Sequence, residues 1–316
     1  MKKVTMKDIA NLAGVSKATV SMVLNNKDIS VSESTRSRIL KIAEELNYIP
    51  NGVARSLSTK KSQTIGIILP DIINPFFSEI ARAIEDTANK LNYNVIFCNT
   101  DGNNEKEEKY IKLLISKLVD GVIFITGGGE NNSLQILSNN NVPLVLVDRD
   151  IDDREKYCGV YCLNEEGVRE GVEYLLKKNK KKIAFVTGKK ELKISKQRAK
   201  GYKDTMIRNN LYNEKLIFEG DFTIESGMEV TEEIIKFNKD IEAIFYSNDI
   251  MALGGIKLLM RKGYRIPQDI SLVGFDNINI SNYIEPELTT VAQPIYEMGK
   301  QSCEALIEII KSKPSN

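Results

Sequence analysis

The sequence contains no histidine among its 316 residues. This absence excludes the imidazole base of Ser–His and Cys–His nucleophile pairs, and it removes histidine as a metal ligand. The four cysteines include Cys158 and Cys162 in a C-x-x-x-C spacing. Because two thiolates alone cannot complete a tetrahedral metal site, we expect reduced thiols, no metal and no other cofactor. Carboxylate chemistry remains open, but the composition disfavours an enzyme.

The sequence also lacks the run of about 18 apolar residues that a membrane-spanning helix needs. Its first residues, MKKVTMKDIA, carry lysines but no apolar segment typical of a secretion signal. Cysteines that stay reduced are typical of cytoplasmic proteins. We therefore expect a cytoplasmic protein with no membrane partner.

Charge is distributed unevenly, although the net charge is only +1. Residues 1–61 contain 11 basic and 5 acidic side chains, whereas the remainder contains 33 basic and 38 acidic ones. A basic segment joined to an acidic body indicates a polyanionic partner for that segment alone. The competing explanation is that a small surface domain carries this charge by chance.

The segment VTMKDIANLAGVSKATVSMVLN, residues 4–25, has the pattern of two short amphipathic helices joined by a turn at Gly14. This pattern is typical of a helix-turn-helix. Thr5 and Asp8 have capping-box spacing, and Ser16 can cap the second helix. The outward face of that helix is short and free to enter a major groove. It carries Lys17, Ala18, Ser21, Met22 and Asn25. With a third helix expected from Ser32, residues 1–48 are predicted to form an all-α DNA-binding head.

Residues 49–61 have two interpretations. They form either a solvated linker or a short helix from Asn51 to about Ser58. A helix of that length containing Gly52 is not stable alone in water, so it would need a partner and a surface.

From Gln63 onward, short apolar runs alternate with helix-like stretches, in two successive series. Strand–helix alternation predicts parallel sheets covered by helices on both faces. Two series predict two similar lobes, with a ligand site in the cleft beyond the carboxyl ends of the strands.

Polar and aromatic side chains follow these predicted strands. Carboxylates and guanidinium groups bind neighbouring hydroxyls, and aromatic faces stack on the C–H surface of a sugar. The set therefore suits a small polyhydroxylated ligand. Each member also has a simpler explanation, because the aspartates could cap helices and the phenylalanines could belong to a core. The set comprises Asp71, Asn74, Phe76, Phe77, Asp148, Arg149, Arg198, Phe222, Asn248, Asp249, Asp276 and, near a crossover, Gln293.

The N-terminal motif T-x-x-D-I-A-x-x-A-G-V-S-x-x-T-V-S-x-V-L-N resembles the DNA-binding head of the LacI/GalR family of transcription regulators. The resemblance implies that Lys17 and Ala18 read base edges, with Met22 on the same face. It implies that the backbone and nearby bases are positioned by Thr5, Ser16, Thr19, Ser21 and Asn25. It also implies that the V-A-R-S-L segment is a hinge helix, which pairs with its dimer mate in the minor groove through Val53, Ala54 and Leu57.

Met22 departs from the family pattern, which usually has arginine at this position. Arginine is the commonest bidentate reader of guanine, whereas methionine offers only apolar contact, for instance to a thymine methyl. We therefore expect an operator that differs from the usual family half-site at that base pair.

The body resembles the effector domain of the same family and the periplasmic ribose-type binding proteins, through NPFF, VDRD, S-x-x-R-x-x-G-Y, EGDF, SNDIMALG, VGFDN and LTTVAQP. The implied fold is α/β, two-lobed and periplasmic-binding-protein-like (type I), over residues 62–316. Lobe 1 is expected at about 62–161 and 292–316, and lobe 2 at about 162–291. Family members usually continue past the helix predicted at Met298–Ser312 into a further strand, whereas this sequence ends at KSKPSN.

Position by position, the resemblance places the ribose-type ligand set on the strand-end residues named above, with the exception of Asp71 and Asp249. It implies a homodimeric repressor of a palindromic DNA operator, controlled by a sugar such as ribose. Three alternatives remain. They are a purine- or phosphoprotein-responsive regulator of the same family, a sugar-binding protein without a regulatory role, and a carbohydrate-active enzyme using Asp148 and Asp276.

Overall fold

The structure is a computed structural model that describes residues 4–25, 31–50, 61–125, 132–148 and 156–312. The chain divides into two compact units, Met1–Ser62 and Gln63–Asn316. The predicted hinge contacts Val53, Ala54 and Leu57, and the predicted ligand residue Arg149, lie outside the described residues.

The N-terminal unit is a bundle of short helices: α1 (Met6–Ala13), α2 (Lys17–Leu24) and α3 (Glu33–Glu45). The apolar side chains spaced along each helix meet in one core, which includes Ile9, Ala13, Val20, Val23 and Ile39. On α2 the residues that pack inward are Val20 and Val23, which are buried on the side opposite the predicted outward face.

The ends of α1 and α2 are set by the residues that the sequence indicated. The Asp8 carboxylate accepts a hydrogen bond from the Thr5 backbone N–H at 2.8 Å, and the Asp8 N–H donates to the Thr5 hydroxyl. Gly14 ends α1 with a φ of 66°, which a residue without Cβ adopts at little cost. Ser16 then caps α2 by accepting from the Thr19 N–H at 3.1 Å.

Lobe 1 of the second unit is a parallel sheet of order β2-β1-β3-β4-β5. Its strands are β1 (Thr64–Leu69), β2 (Asn94–Asn99), β3 (Gly121–Ile125), β4 (Leu144–Val147) and β5 (Cys158–Val160). Its helices are α4 (Pro75–Lys90), α5 (Asn104–Ser116), α6 (Asn132–Asn139) and, from the end of the chain, α11 (Ile295–Ser312). Because α11 packs on α4 and on β3, β4 and β5, residues that follow lobe 2 in sequence complete the core of lobe 1.

Lobe 2 is a second parallel sheet, of order β10-β9-β8-β6-β7. Its strands are β6 (Ile183–Thr187), β7 (Ile217–Glu219), β8 (Ala243–Tyr246), β9 (Ser271–Asp276) and β10 (Thr290–Ala292). Its helices are α7 (Asn164–Lys177), α8 (Lys193–Arg208), α9 (Ile224–Phe237) and α10 (Asp249–Arg261), with single 3₁₀ turns at Glu214–Leu216 and Asn279–Asn282. Buried clusters lie on both faces of each sheet.

The predicted fold, a helix-turn-helix head and a two-lobed α/β body, is confirmed. The strands that the sequence pattern did not predict are β5, β7 and β10, each of three residues. A run that short carries too little periodicity to stand out from a loop. Within the described ranges, no helix is long and apolar enough to cross a membrane.

Candidate functional site

A cavity of about 580 Å³ lies at the carboxyl ends of strands from both sheets. Parallel strands bring the residues that follow them to one edge of a sheet, and here two such edges face each other. The cavity is lined by predicted ligand residues from both lobes. These are Asn74, Phe76, Phe77, Asp148, Arg198, Phe222, Asn248 and Asp276.

Lobe 1 supplies an aromatic wall at the start of α4. Asn74 caps this helix by accepting from the Phe76 N–H at 3.0 Å. The rings of Phe76 and Phe77 then meet edge to face, with centroids 5.2 Å apart and planes at 72°. Such a pair presents both a ring face and a ring edge, which suits the C–H surface of a sugar. Asp148, which directly follows β4, is also buried at the cavity.

Arg198 on α8 is the buried cation of the site, with 2% of its surface exposed. Its Nε donates to Asn164 Oδ1 at 2.9 Å, and its Nη1 donates to the Ser247 carbonyl. Its guanidinium carbon lies 3.9 Å from the centroid of the Phe275 ring. Since its planar group is held on three sides, Arg198 presents a fixed hydrogen-bonding edge to the cavity.

Asp276, the last residue of β9, is the buried carboxyl group opposite Arg198. Its Oδ1 lies 3.8 Å from Arg198 Nη1 and accepts from Gln293 Nε2 at 2.7 Å. Burial raises the pKa of Asp276 well above its ordinary value, while Arg198 opposes this shift. Gln293 is not among the cavity-lining residues, and its contact with Asp276 gives it a supporting position. The carboxyl group is thus oriented by protein partners before any ligand hydroxyl meets it.

The outward face of α2 in the N-terminal unit is accessible, as a groove-entering helix requires. Ser16, Lys17 and Ala18 at its start are exposed, and so is Thr5 at the start of α1. The remaining predicted contacts on α2 are half-buried. These are Thr19, Ser21, Met22 and Asn25. The Asn25 side-chain amide donates to the Ser21 carbonyl at 2.8 Å, and this bond holds the end of the face in place.

Two family models match the chain. Residues 5–51 match bacterial regulatory proteins of the lacI family, and residues 172–316 match a periplasmic binding protein-like domain. The ribose operon repressor of Halalkalibacterium halodurans is 40% identical over 310 residues, which cover 98% of this chain and 91% of that protein. The chain belongs to the LacI family. The transcriptional repressor PurR of Aliivibrio fischeri is 38% identical over 313 residues, covering 98% and 92%.

Solved structures of LacI-family regulators have the same architecture. The lac repressor dimer bound to operator and the anti-inducer ONPF superposes with a TM-score of 0.88 at 29% identity, over 99% of this chain and 94% of that chain. A LacI family regulator from Enterococcus faecium with bound ribose gives a TM-score of 0.72 at 29% identity, over 80% and 92%. This LacI-family chain is therefore a DNA-binding transcription regulator and not an enzyme.

The rim of the cavity carries charges that the sequence reasoning missed. Asp101 follows β2, Lys189 and Glu191 follow β6, and Asp221 follows β7. Asp101 comes soon after a strand that the sequence did predict, so the strand-end rule that found Asp71 could have found it. Asp221 lies in the EGDF motif directly before Phe222, so the motif that pointed to Phe222 could have found it although β7 was not recognised.

Substituting Gly188 with alanine is expected to weaken effector binding about tenfold, because the ring of Phe222 occupies the space beside this glycine. A Cβ at position 188 would lie 2.0 Å from Phe222 Cζ, so the ring must leave the cavity wall. Losing a well-placed aromatic contact costs about 1 kcal/mol or more. Calorimetric titration of the variant measures the loss. Gly263→Ala is the control, since its Cβ meets nothing within 4 Å and only its φ of 83° adds strain. Equal affinities for Gly188→Ala and the native protein would show that the ring position is unimportant.

Proposed function

We propose that this regulator is a homodimeric repressor of a palindromic operator, and that its operator affinity is controlled by a small sugar, ribose or a close relative, bound in the cavity between the lobes. The observation that carries the proposal is the cavity itself. It joins aromatic rings from lobe 1 to a buried Arg198–Asp276 pair from lobe 2. The ribose operon repressor and the ribose-bound regulator among its relatives support the same effector class.

A pentose could use every kind of group in the cavity. Phe76, Phe77 and Phe222 would cover its C–H faces. Asp148 and Asp276 would accept from its hydroxyls, while Arg198 and Asn248 would donate to its oxygens. Both carboxyl groups are buried, with 4% of each residue exposed, so hydrogen bonds that a hydroxyl makes to them face little competition from water. We assign the predicted Arg149 and Gln293 to the same site, Gln293 through its contact with Asp276.

Helix α2 is the element that indicates the DNA partner. A helix-turn-helix dimer places two such helices in successive major grooves, so its operator repeats with the symmetry of the protein. We assign base contacts to Lys17, Ala18 and Met22, and the other predicted contacts to the phosphate backbone and nearby bases. We assign the minor-groove contacts to the hinge residues Val53, Ala54 and Leu57. A regulator of operator DNA works beside the chromosome, so we place this protein in the cytoplasm.

Control by the effector requires that the sugar bind two arrangements of the lobes unequally. A ligand that touches both lobes meets this requirement, because a change in the angle between the lobes alters its contacts on at least one side. Operator affinity then changes by the same factor as effector affinity, through linkage.

A thermal-shift screen of the full chain tests the effector class. The ligands are D-ribose, D-xylose, ribose 5-phosphate, guanine and hypoxanthine. We expect stabilisation by a free pentose, of about 2.7 kcal/mol when the ligand is at a hundred times its Kd, and a change in operator affinity with the same ligand. Recovery of the sugar unchanged after incubation with the protein would show that the protein binds the sugar without converting it. Stabilisation without any effect on operator binding would contradict the regulatory part of the proposal.

A purine effector is the second candidate, because PurR is nearly as similar to this chain as the ribose operon repressor is. Guanine and hypoxanthine in the same screen decide between the two. Stabilisation by a purine but by no pentose would replace the sugar assignment and leave the DNA-binding assignment intact.

Met22→Arg is expected to change operator preference at a single base pair of each half-site, towards guanine, by about 1–3 kcal/mol. Met22 lies half-buried on the outward face of α2, where a longer guanidinium side chain can reach base edges. Selection of binding sites from a random library measures both consensus sequences. Leu12→Met, at an exposed position on α1, is the control and should keep the native consensus. The same consensus for the Met22→Arg variant and the native protein would refute the assignment of Met22.

A further inference from the structure

The turn that follows β9 has an unusual backbone. Asp276 has a φ of 122° and the next residue, Asn277, has a φ of 60°. Residues with a Cβ rarely adopt positive φ, and two in succession are held only where the surroundings over-determine them. Since Asp276 lines the cavity, whatever holds this turn also sets the position of a carboxyl group proposed to contact the effector.

The Asp249 side chain bonds to the segment that follows the turn. It is fully buried at the start of α10, and both of its oxygens accept hydrogen bonds from the segment after β9. Oδ2 accepts from the Ile278 backbone N–H at 2.9 Å and from the Ser281 hydroxyl at 3.0 Å. Oδ1 accepts from the Thr290 hydroxyl at 2.5 Å. One carboxylate therefore ties the turn, the following 3₁₀ turn and strand β10 together.

Helix capping does not explain this arrangement, because Asn248 already caps α10 by accepting from the Met251 N–H at 3.0 Å. The neighbouring strand leaves space for the carboxylate, since a Cβ at Gly274 would lie 2.1 Å from Asp249 Oδ1. Burial raises the pKa of Asp249 to about 6, while the hydrogen bonds oppose this shift. Three donors converge on this carboxyl group, which accepts a hydrogen bond from each of them.

The turn has different surroundings on its two sides. Asp276 faces the cavity, whereas Ile278 is fully buried in the core cluster of lobe 1, together with Ile67 and Phe76. Phe76 also lines the cavity. Two residues of chain thus connect the effector-facing carboxyl of lobe 2 to the core of lobe 1, and Asp249 holds the segment at Ile278.

We propose that Asp249 is a positioning residue for both effector recognition and lobe coupling. Its carboxylate keeps the Asp276–Asn277 turn in its strained form, so that Asp276 meets the ligand while Ile278 stays anchored in lobe 1. The effector part rests on the function proposed above. The structural part, that Asp249 maintains the turn, does not.

Asp249→Asn is the main test, since it keeps the shape and replaces one acceptor oxygen with a donor that faces other donors. Loss of a hydrogen bond to a charged group costs enough free energy to change an equilibrium constant about tenfold or more. We expect amide hydrogen exchange in residues 276–283 of the ligand-free chain to be about tenfold faster, and the affinity for D-ribose, measured by calorimetry, to be about tenfold weaker. Ser281→Ala removes a single donor and is expected to show the same effects, more weakly.

Thr231→Val is the matched control. It breaks another buried hydrogen bond of lobe 2, between Thr231 Oγ1 and the Tyr246 hydroxyl at 2.6 Å, and neither residue is part of the turn or of the cavity lining. It should lower the melting temperature without changing ribose affinity or the relative exchange of residues 276–283. The double variant Asp249→Asn/Ser281→Ala should behave like Asp249→Asn alone, because the hydroxyl acts through the carboxylate.

Two results would overturn the proposal. One is unchanged exchange in residues 276–283 of Asp249→Asn, and the other is a loss of ribose affinity no greater than that of Thr231→Val. If Asp249→Asn does not fold, the same exchange and affinity measurements are made on Ser281→Ala and Thr290→Val and compared with Thr231→Val. If the native chain binds no pentose, the proposed effector is wrong, and the exchange measurements still decide whether Asp249 holds the turn.

Discussion

Replacing Arg198 with methionine is expected to abolish effector binding and to lower the free energy of unfolding of the lobed unit by about 3–5 kcal/mol. Arg198 and Asp276 are almost completely inaccessible, with 3% and 5% of their side chains exposed. Removing only the cation leaves the Asp276 carboxyl buried beside Asp249 and Asp148 without its positive neighbour. It also removes the donors that Asn164 Oδ1 and the Ser247 carbonyl accept from.

Denaturant unfolding and calorimetric titration with D-ribose measure the two effects. Arg208→Met on the same helix is the control, because Arg208 is exposed and its hydrogen bonds among the described residues stay within α8, to the Asp204 carbonyl and the Thr205 hydroxyl. We expect it to stay within about 0.5 kcal/mol of the native stability, as exposed positions usually do.

The double variant Arg198→Met/Asp276→Asn separates stability from recognition. It removes both charges, so much of the lost stability should return, as it does when a buried ion pair is replaced as a whole. Ribose binding should not return, because both recognition groups are gone. If Arg198→Met binds ribose with native affinity, the guanidinium does not belong to the effector site.

The sequence predicted which residues reach the cavity better than it predicted how they are held there. Asp148 follows β4 and Asp276 ends β9. The carboxyl ends of parallel strands share an edge, so the position of both residues follows from fold class alone. Asn164, which fixes Arg198, comes from a helix that begins where the chain enters lobe 2. Its contact depends on how two helices pack, and helical periodicity does not specify that.

Asp249 shows the same limit. The motif SNDIMALG placed Asn248 in the site through the resemblance, whereas Asp249 beside it was predicted only as one of the polar residues that follow a strand. Its partners Ile278, Ser281 and Thr290 are 29 to 41 residues away in sequence. Only the folded crossover segment brings them to one carboxylate. The spacing of residues along the sequence therefore does not predict that these three residues bond to Asp249.

Operator affinity is expected to fall about 10³- to 10⁵-fold between 50 and 200 mM monovalent salt. Residues 1–61 carry 11 basic and 5 acidic side chains, whereas the rest of the chain is acidic overall, so we expect residues 1–61 to make the phosphate contacts. A dimer whose two heads together make about 6–10 phosphate contacts releases a comparable number of counterions on binding, and this release produces the steep dependence. Fluorescence anisotropy with a labelled operator duplex at several salt concentrations gives the slope of log affinity against log salt.

Arg38→Ala tests whether the slope comes from the head. Arg38 is exposed on α3, whereas Lys112, the control, is exposed on α5 of lobe 1 and pairs with Glu108. Losing one phosphate contact in each head should reduce the magnitude of the slope by about 2 for the dimer and weaken binding to all sequences equally. Lys112→Ala should leave the slope unchanged, because the acidic body makes no phosphate contact. Equal slopes for both variants would place Arg38 in solvent, and a shallow slope for the native dimer would contradict phosphate binding by the basic head itself.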